Sequence, residues 1–149
     1  MATQLVSPDA TTQPRAAAWT PRMSLDTSAL LLRVGFGSTL SLMHGLNKLK
    51  HPDAFLSHVA KTFPAPALLG WAAMLSEFAG GLLLALGLFT RCAGTFIAGT
   101  LFVAAFKVHA ADPFAKKELA FAYALVGLAF AIGGPGRYAI DTLIARKRS

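Results

Sequence analysis

Glu77 is the only charged residue in the 24-residue stretch Pro66–Phe89, PALLGWAAMLSEFAGGLLLALGLF. A carboxylate in such surroundings costs a few kcal/mol on insertion scales unless it is protonated, paired or hydrated. It is therefore a group that must trade a proton, an ion pair or a hydrogen bond. Arg33, His44 and Lys48 occupy an earlier apolar run, and His109 and Glu118 flank the junction between two later ones. Imidazole and carboxylate together can exchange protons near neutral pH. They are also metal-ligand types, but no spacing such as HxxxH joins these residues, and no metal is expected.

The elements that carry these residues read as helices. Pro66–Phe89 extends about 36 Å at 1.5 Å per residue, enough for a hydrocarbon core of about 30 Å. Before it, Leu25–Lys48 places Arg33, Gly37, Ser41, His44 and Lys48 at steps of 4, 4, 3 and 4. That spacing is one helix face, and Asp26, Thr27 or Ser28 are candidate caps for its start. Residues 50–65 are too short and polar to span. Phe55, Val59 and Phe63 recur every fourth residue there, as in a short helix lying in the interface. Cys92–Ala111 gathers Gly94, Ala98, Leu101, Ala105 and His109 on one face. Leu119–Gly134 is a fourth apolar segment, stopped by Gly-Pro-Gly. The expectation is an all-α polytopic membrane protein: a four-transmembrane-helix bundle with a short interfacial helix between spans 1 and 2.

Composition agrees. Of 149 residues, 54% are hydrophobic and 14% charged, against about 25% charged in a soluble domain; mean hydropathy is +0.53. The net charge of +7 reads as topology and contact with anionic lipid. No base-reading motif accompanies it, so no nucleic-acid partner is expected. Cys92 is the single cysteine; it excludes dithiol chemistry within the chain and reads as small apolar filler. Residues 1–24 form a polar tail, expected to be disordered and lacking an apolar signal-peptide core. Residues 25–141 form the membrane domain and 142–149 a basic tail.

Four spans place both termini on one side. Arg15, Arg22, Arg91, Arg146, Lys147 and Arg148 then share that side, opposite Lys48, Lys50, Lys61, Lys116 and Lys117. This bias puts both termini in the cytoplasm. His44, Lys48, His109 and Glu118 gather at the outer end, above Glu77, as a polar pocket. Counting places Arg33 about 10 Å and Glu77 about 18 Å from the inner boundary, and an Arg33–Glu77 pair is the simplest way to keep both charged. At the inner face, Arg137 and Asp141 are a candidate pair four residues apart, with Tyr138 at the head groups. The alternative is a packing network in which the same polar residues hold the helices in register.

Several stretches, in order, resemble the DoxX family of small four-helix membrane proteins: Leu-Leu-Leu-Arg33-Val-Gly with Met-His44-Gly-Leu-Asn-Lys48; Ser-Glu77-Phe-Ala-Gly-Gly through Thr-Arg91; His109 followed by Glu118; and Gly134-Pro135-Gly136-Arg137-Tyr138-Ala-Ile-Asp141, with Ala139 where Ser is usual. The resemblance covers about residues 28–141. It implies a bacterial cytoplasmic (inner) membrane protein in a redox context, since family members include a subunit associated with thiosulfate:quinone oxidoreduction. No independent catalytic motif is present, so electrons would come from a soluble or membrane redox partner or a bound quinone. Glu77, His44 and His109 are the candidate catalytic residues, and Arg33, Lys48 and Glu118 complete the candidate pocket. Two other readings use the same residues: an assembly or scaffold protein, and a small-solute or proton pathway. Each is compatible with a homo-oligomer.

Overall fold

The computed structural model describes residues 21–148. Expectations for residues 1–20 lie outside the described residues. Every regular element among those described is helical: α1 (Pro21–Thr39), α2 (Leu46–Lys50), α3 (Pro52–Ala60), α4 (Pro66–Leu86), α5 (Thr90–Val103), α6 (Phe114–Gly133) and α7 (Ile140–Arg148). A π-helical turn, Leu40–Gly45, joins α1 to α2, and a second, Ala104–Val108, extends α5. Helix α1 begins at Pro21, so Asp26 lies inside it and is not its cap. Helix α7 takes up most of the stretch read as a basic tail.

Among the described residues, three helices are long and apolar enough to cross a membrane: Ser24–Lys50, Pro66–Leu86 and Thr90–Val108. Helix α6 carries Lys116, Lys117 and Glu118 near its start, which shortens its apolar run. Large apolar side chains point outward on successive helices, among them Leu31, Leu75, Phe96 and Ile132. In water such a surface would drive aggregation; in a bilayer it is the solvated face. The chain is a multi-pass membrane protein with its helices in lipid.

Small residues allow the helices to approach. A Cβ on Gly37 would stand 2.6 Å from the Gly81 carbonyl oxygen, so α1 and α4 meet backbone to backbone. Gly94 and Gly127 do the same for α5 and α6, where a Cβ on Gly94 would lie 2.6 Å from the Gly127 oxygen. This is the close-packing mode of helices in lipid, where dispersion and hydrogen bonds replace the hydrophobic effect between them. Leu40, Leu84, Ile97, Leu101, Tyr123, Ala124 and Phe130 fill the centre.

The short helix α3 lies at the end of the bundle opposite α7. It turns Val59 inward and leaves Asp53, Ser57 and His58 exposed, as its pattern requires. Pro66 opens α4 and Gly87 closes it in the left-handed conformation, φ 69°, where a side chain is disfavoured. Phe89, with φ 47°, takes the same conformation two residues later.

Candidate functional site

The α3 end of the bundle holds a cavity of about 270 Å³. His44 and Lys48 reach it from the first helix, Glu77 from α4, His109 from the end of the α5 extension, and Lys116 and Tyr123 from α6. Leu40, Leu101 and Leu119 supply apolar wall. Both π-helical turns lie at this level. One carries His44, and the other ends immediately before His109. Such wide turns re-aim the side chains that follow them and recur at functional sites.

Glu77 is 2% exposed, and its Oε1 is paired with Lys48 Nζ. Its other oxygen, Oε2, is buried and has no hydrogen-bond partner among the described residues. An unsatisfied buried acceptor costs about 1–3 kcal/mol, so this atom calls for a donor, and the cavity is where one can enter. Lys48 also sits over the Phe55 ring at 4.8 Å, which ties α3 to the ion pair. Tyr123 is buried and meets His44 edge-on, with centroids 5.6 Å apart; on its other side it meets Phe36 at 5.3 Å. His109 Nδ1 is hydrogen-bonded to Asp112 Oδ2 at 2.8 Å. That bond holds the Asp112 carboxyl below the usual carboxylate range.

The expected Arg33–Glu77 pair does not form. Gly45 packs directly on Phe78, with room for no Cβ between them. This sets Lys48, about one turn beyond Gly45, within reach of Glu77, and leaves Arg33 several turns away toward α7. The buried guanidinium of Arg33 donates instead to the carbonyl oxygens of Pro135 at 2.9 Å and Tyr138 at 3.1 Å. These carbonyls belong to the broken backbone between α6 and α7, which has no helical donors to serve it. Arg33 Nε is buried and has no partner among the described residues.

The Arg137–Asp141 pairing is likewise replaced. Asp141 accepts from the Phe89 and Thr90 backbone N–H groups and from the Thr90 hydroxyl, each at 2.9 Å. A carboxylate from the first turn of α7 thus caps the N-terminus of α5, where free N–H groups and the helix dipole favour negative charge. Burial pushes the Asp141 carboxyl upward, but the Thr90 and Phe89 bonds and the nearby Arg33 charge outweigh it and leave it below the usual range. Arg137 gives its backbone N–H to Asp26 Oδ1 at 2.9 Å, while its side chain and that of Tyr138 are exposed. Arg33, Asp141 and the turns they hold form a structural knot at the α7 end.

Of the six candidate pocket residues, His44, Lys48, Glu77 and His109 share the cavity. Arg33 belongs to the knot, and Glu118 is exposed on the outer face of α6. Cys92 is exposed rather than packed as filler. Tyr123 and Asp112 were not singled out in the sequence, and Lys116 only as a charge on the outer side. Asp112 carried a signal in its place three residues after His109; Tyr123 carried one as the lone hydroxyl-bearing aromatic of an apolar run. Among the described residues, no three His, Cys, Asp or Glu side chains come together as a metal site.

A family model described as DoxX matches residues 28–110, from the first long helix to just past His109. Comparison with curated proteins and with solved structures gives no match.

Proposed function

From the premise that the chain belongs to the DoxX family, we propose that it is a quinone-interacting subunit or accessory component of a redox system in the bacterial cytoplasmic membrane. The observation that carries this reading is Glu77 Oε2, a buried acceptor with no partner among the described residues, on a cavity shared with two histidines. A quinone oxygen is itself an acceptor, so the donor to Glu77 is the hydroxyl of the reduced, quinol form. A bound quinone supplies two-electron chemistry coupled to protonation of its ring oxygens. The cavity residues suit such a head group: apolar walls from Leu40, Leu101 and Leu119, an aromatic edge at Tyr123, and imidazoles on two different walls. His44 and His109 hydrogen-bond the polar edges of the ring and exchange protons there. Lys48 is paired with Glu77, which lowers the cost of holding a carboxylate at this depth. With Cys92 the single cysteine, electrons come from a partner.

In this reading α6 is the fourth span, and both termini face the cytoplasm. The outward-facing Leu125, Leu128 and Ile132 of α6 support a lipid-facing role for that helix. The scaffold alternative draws support from the α7-end knot, which accounts for Arg33 and Asp141 by packing alone. It leaves Glu77 Oε2 without a partner among the described residues.

Glu77→Gln tests the proposal. It keeps shape and hydrogen bonding but removes titration. With the variant accumulating at the wild-type level, quinone-linked reduction by membranes carrying the system should be lost. Unchanged reduction at equal protein level would contradict the proposal.

A further inference from the structure

Asp112 lies in the short loop between the α5 extension and α6, outside the cavity lining, yet it governs a group that lines the cavity. Its Oδ2 stands 2.8 Å from His109 Nδ1, and its Oδ1 is 3.6 Å from Lys116 Nζ. A carboxylate is acceptor-only when ionised, so the ring nitrogen facing it must carry the proton. In the neutral imidazole, one nitrogen donates and the other accepts. A proton held on Nδ1 leaves Nε2 as the basic nitrogen. We propose that Asp112 is a positioning residue: it fixes His109 as the Nδ1–H tautomer and so presents a bare Nε2 as the proton acceptor of the cavity. This rests on the reading of the cavity as a head-group site.

Three observations support the assignment. The Asp112 carboxyl is held below the ordinary range, with the His109 bond as the largest cause and the Lys116 charge adding to it. The carboxylate therefore stays ionised across neutral pH and remains an acceptor. Next, His109 and Asp112 are 39% and 35% exposed, so the pair touches the aqueous side while His109 also lines the cavity. A proton taken up by Nε2 creates an imidazolium that the adjacent carboxylate stabilises, and it can leave to water from the exposed side. Finally, the other charges around His109 are committed elsewhere. Lys48 is paired with Glu77, Lys107 sits over the Phe63 ring at 5.3 Å, and Lys117 donates to the Ala110 carbonyl at 3.3 Å. Lys116 is bound to Asp112 itself, and His44 is packed against Tyr123. The arrangement separates two roles: His44 is placed by an aromatic edge, whereas His109 is placed by a carboxylate that sets its tautomer.

The test reads the ring proton directly. Full-length protein labelled with ¹⁵N-histidine, reconstituted in lipid nanodiscs, is compared with Asp112→Ala; a His109→Gln sample assigns the resonance. The expected result is an Nδ1–H signal for neutral His109 in the wild type, lost or redistributed toward Nε2–H in Asp112→Ala. A wild-type ring protonated on Nε2, or a tautomer unchanged by Asp112→Ala, overturns the proposal. Quinone content, measured on the same wild-type discs, is a separate readout. Absence of quinone with the Nδ1–H signal intact counts against the head-group reading and not against the role of Asp112 in setting the tautomer.

Discussion

At the residue scale, the two ends of the bundle solve the problem of buried charge differently. At the α3 end, Lys48 and Glu77 form a pair of unequal burial, 28% and 2% exposed. Losing Glu77's charge leaves Lys48 free to extend to the interface, while losing Lys48 strands a carboxylate. Lys48→Met should therefore destabilise by about 3 kcal/mol, clearly more than Glu77→Gln; thermal unfolding in detergent, followed by size-exclusion recovery, ranks the two. At the α7 end, Asp141 is held below the ordinary carboxylate range by its Thr90 and Phe89 bonds. A depressed folded value means that its contribution is fully present above the unfolded value of about 3.9 and is lost as pH falls through the folded one. The wild type should lose stability on acidification through that window, and Asp141→Asn should flatten that part of the profile and unfold earlier at neutral pH. The need of Glu77 for a partner was legible in its apolar surroundings. The partner's identity was not, because counting residues measures depth along each helix separately. The offset between helices is set by the contact of Gly45 with Phe78, which no single-chain spacing encodes.

At the element scale, helix type and face follow from the sequence with few exceptions. The face Arg33, Gly37, Ser41, His44 and Lys48 was readable, as was the inward turn of Val59 on α3. The π-helical turns were not, since the extra residue in each leaves the apolar pattern on both sides intact and only shifts its phase. The glycines divide by contact. Gly37→Ala drives a Cβ into the backbone of α4 and should destabilise by about 1–3 kcal/mol. Gly35→Ala and Gly99→Ala meet nothing within 4 Å, and each should be neutral or stabilising by up to about 1 kcal/mol. The same unfolding assay distinguishes the groups, and equal losses at all three positions would contradict the close α1–α4 crossing.

For the whole molecule, composition and apolar run length were enough to reach a helical membrane protein, and the ordered motifs were enough to reach the DoxX family. The closing Gly-Pro-Gly-Arg-Tyr segment was legible as a turn, but its bonds to Arg33 and Asp26, and the bond of Asp141 in α7 to the start of α5, depend on tertiary approach. Topology gives a direct expectation. With α6 as a span, reporters fused to either terminus should fall on the same side of the membrane, and opposite sides would restrict the bundle to three crossings. The central claim, that the α3-end cavity receives a quinone head group, is tested most directly by mass spectrometry of lipids extracted from protein purified in native-membrane discs. The account predicts near-stoichiometric quinone with the wild type and its loss from His44→Ala/His109→Ala. Quinone at no more than the bulk-membrane level in both samples would contradict it.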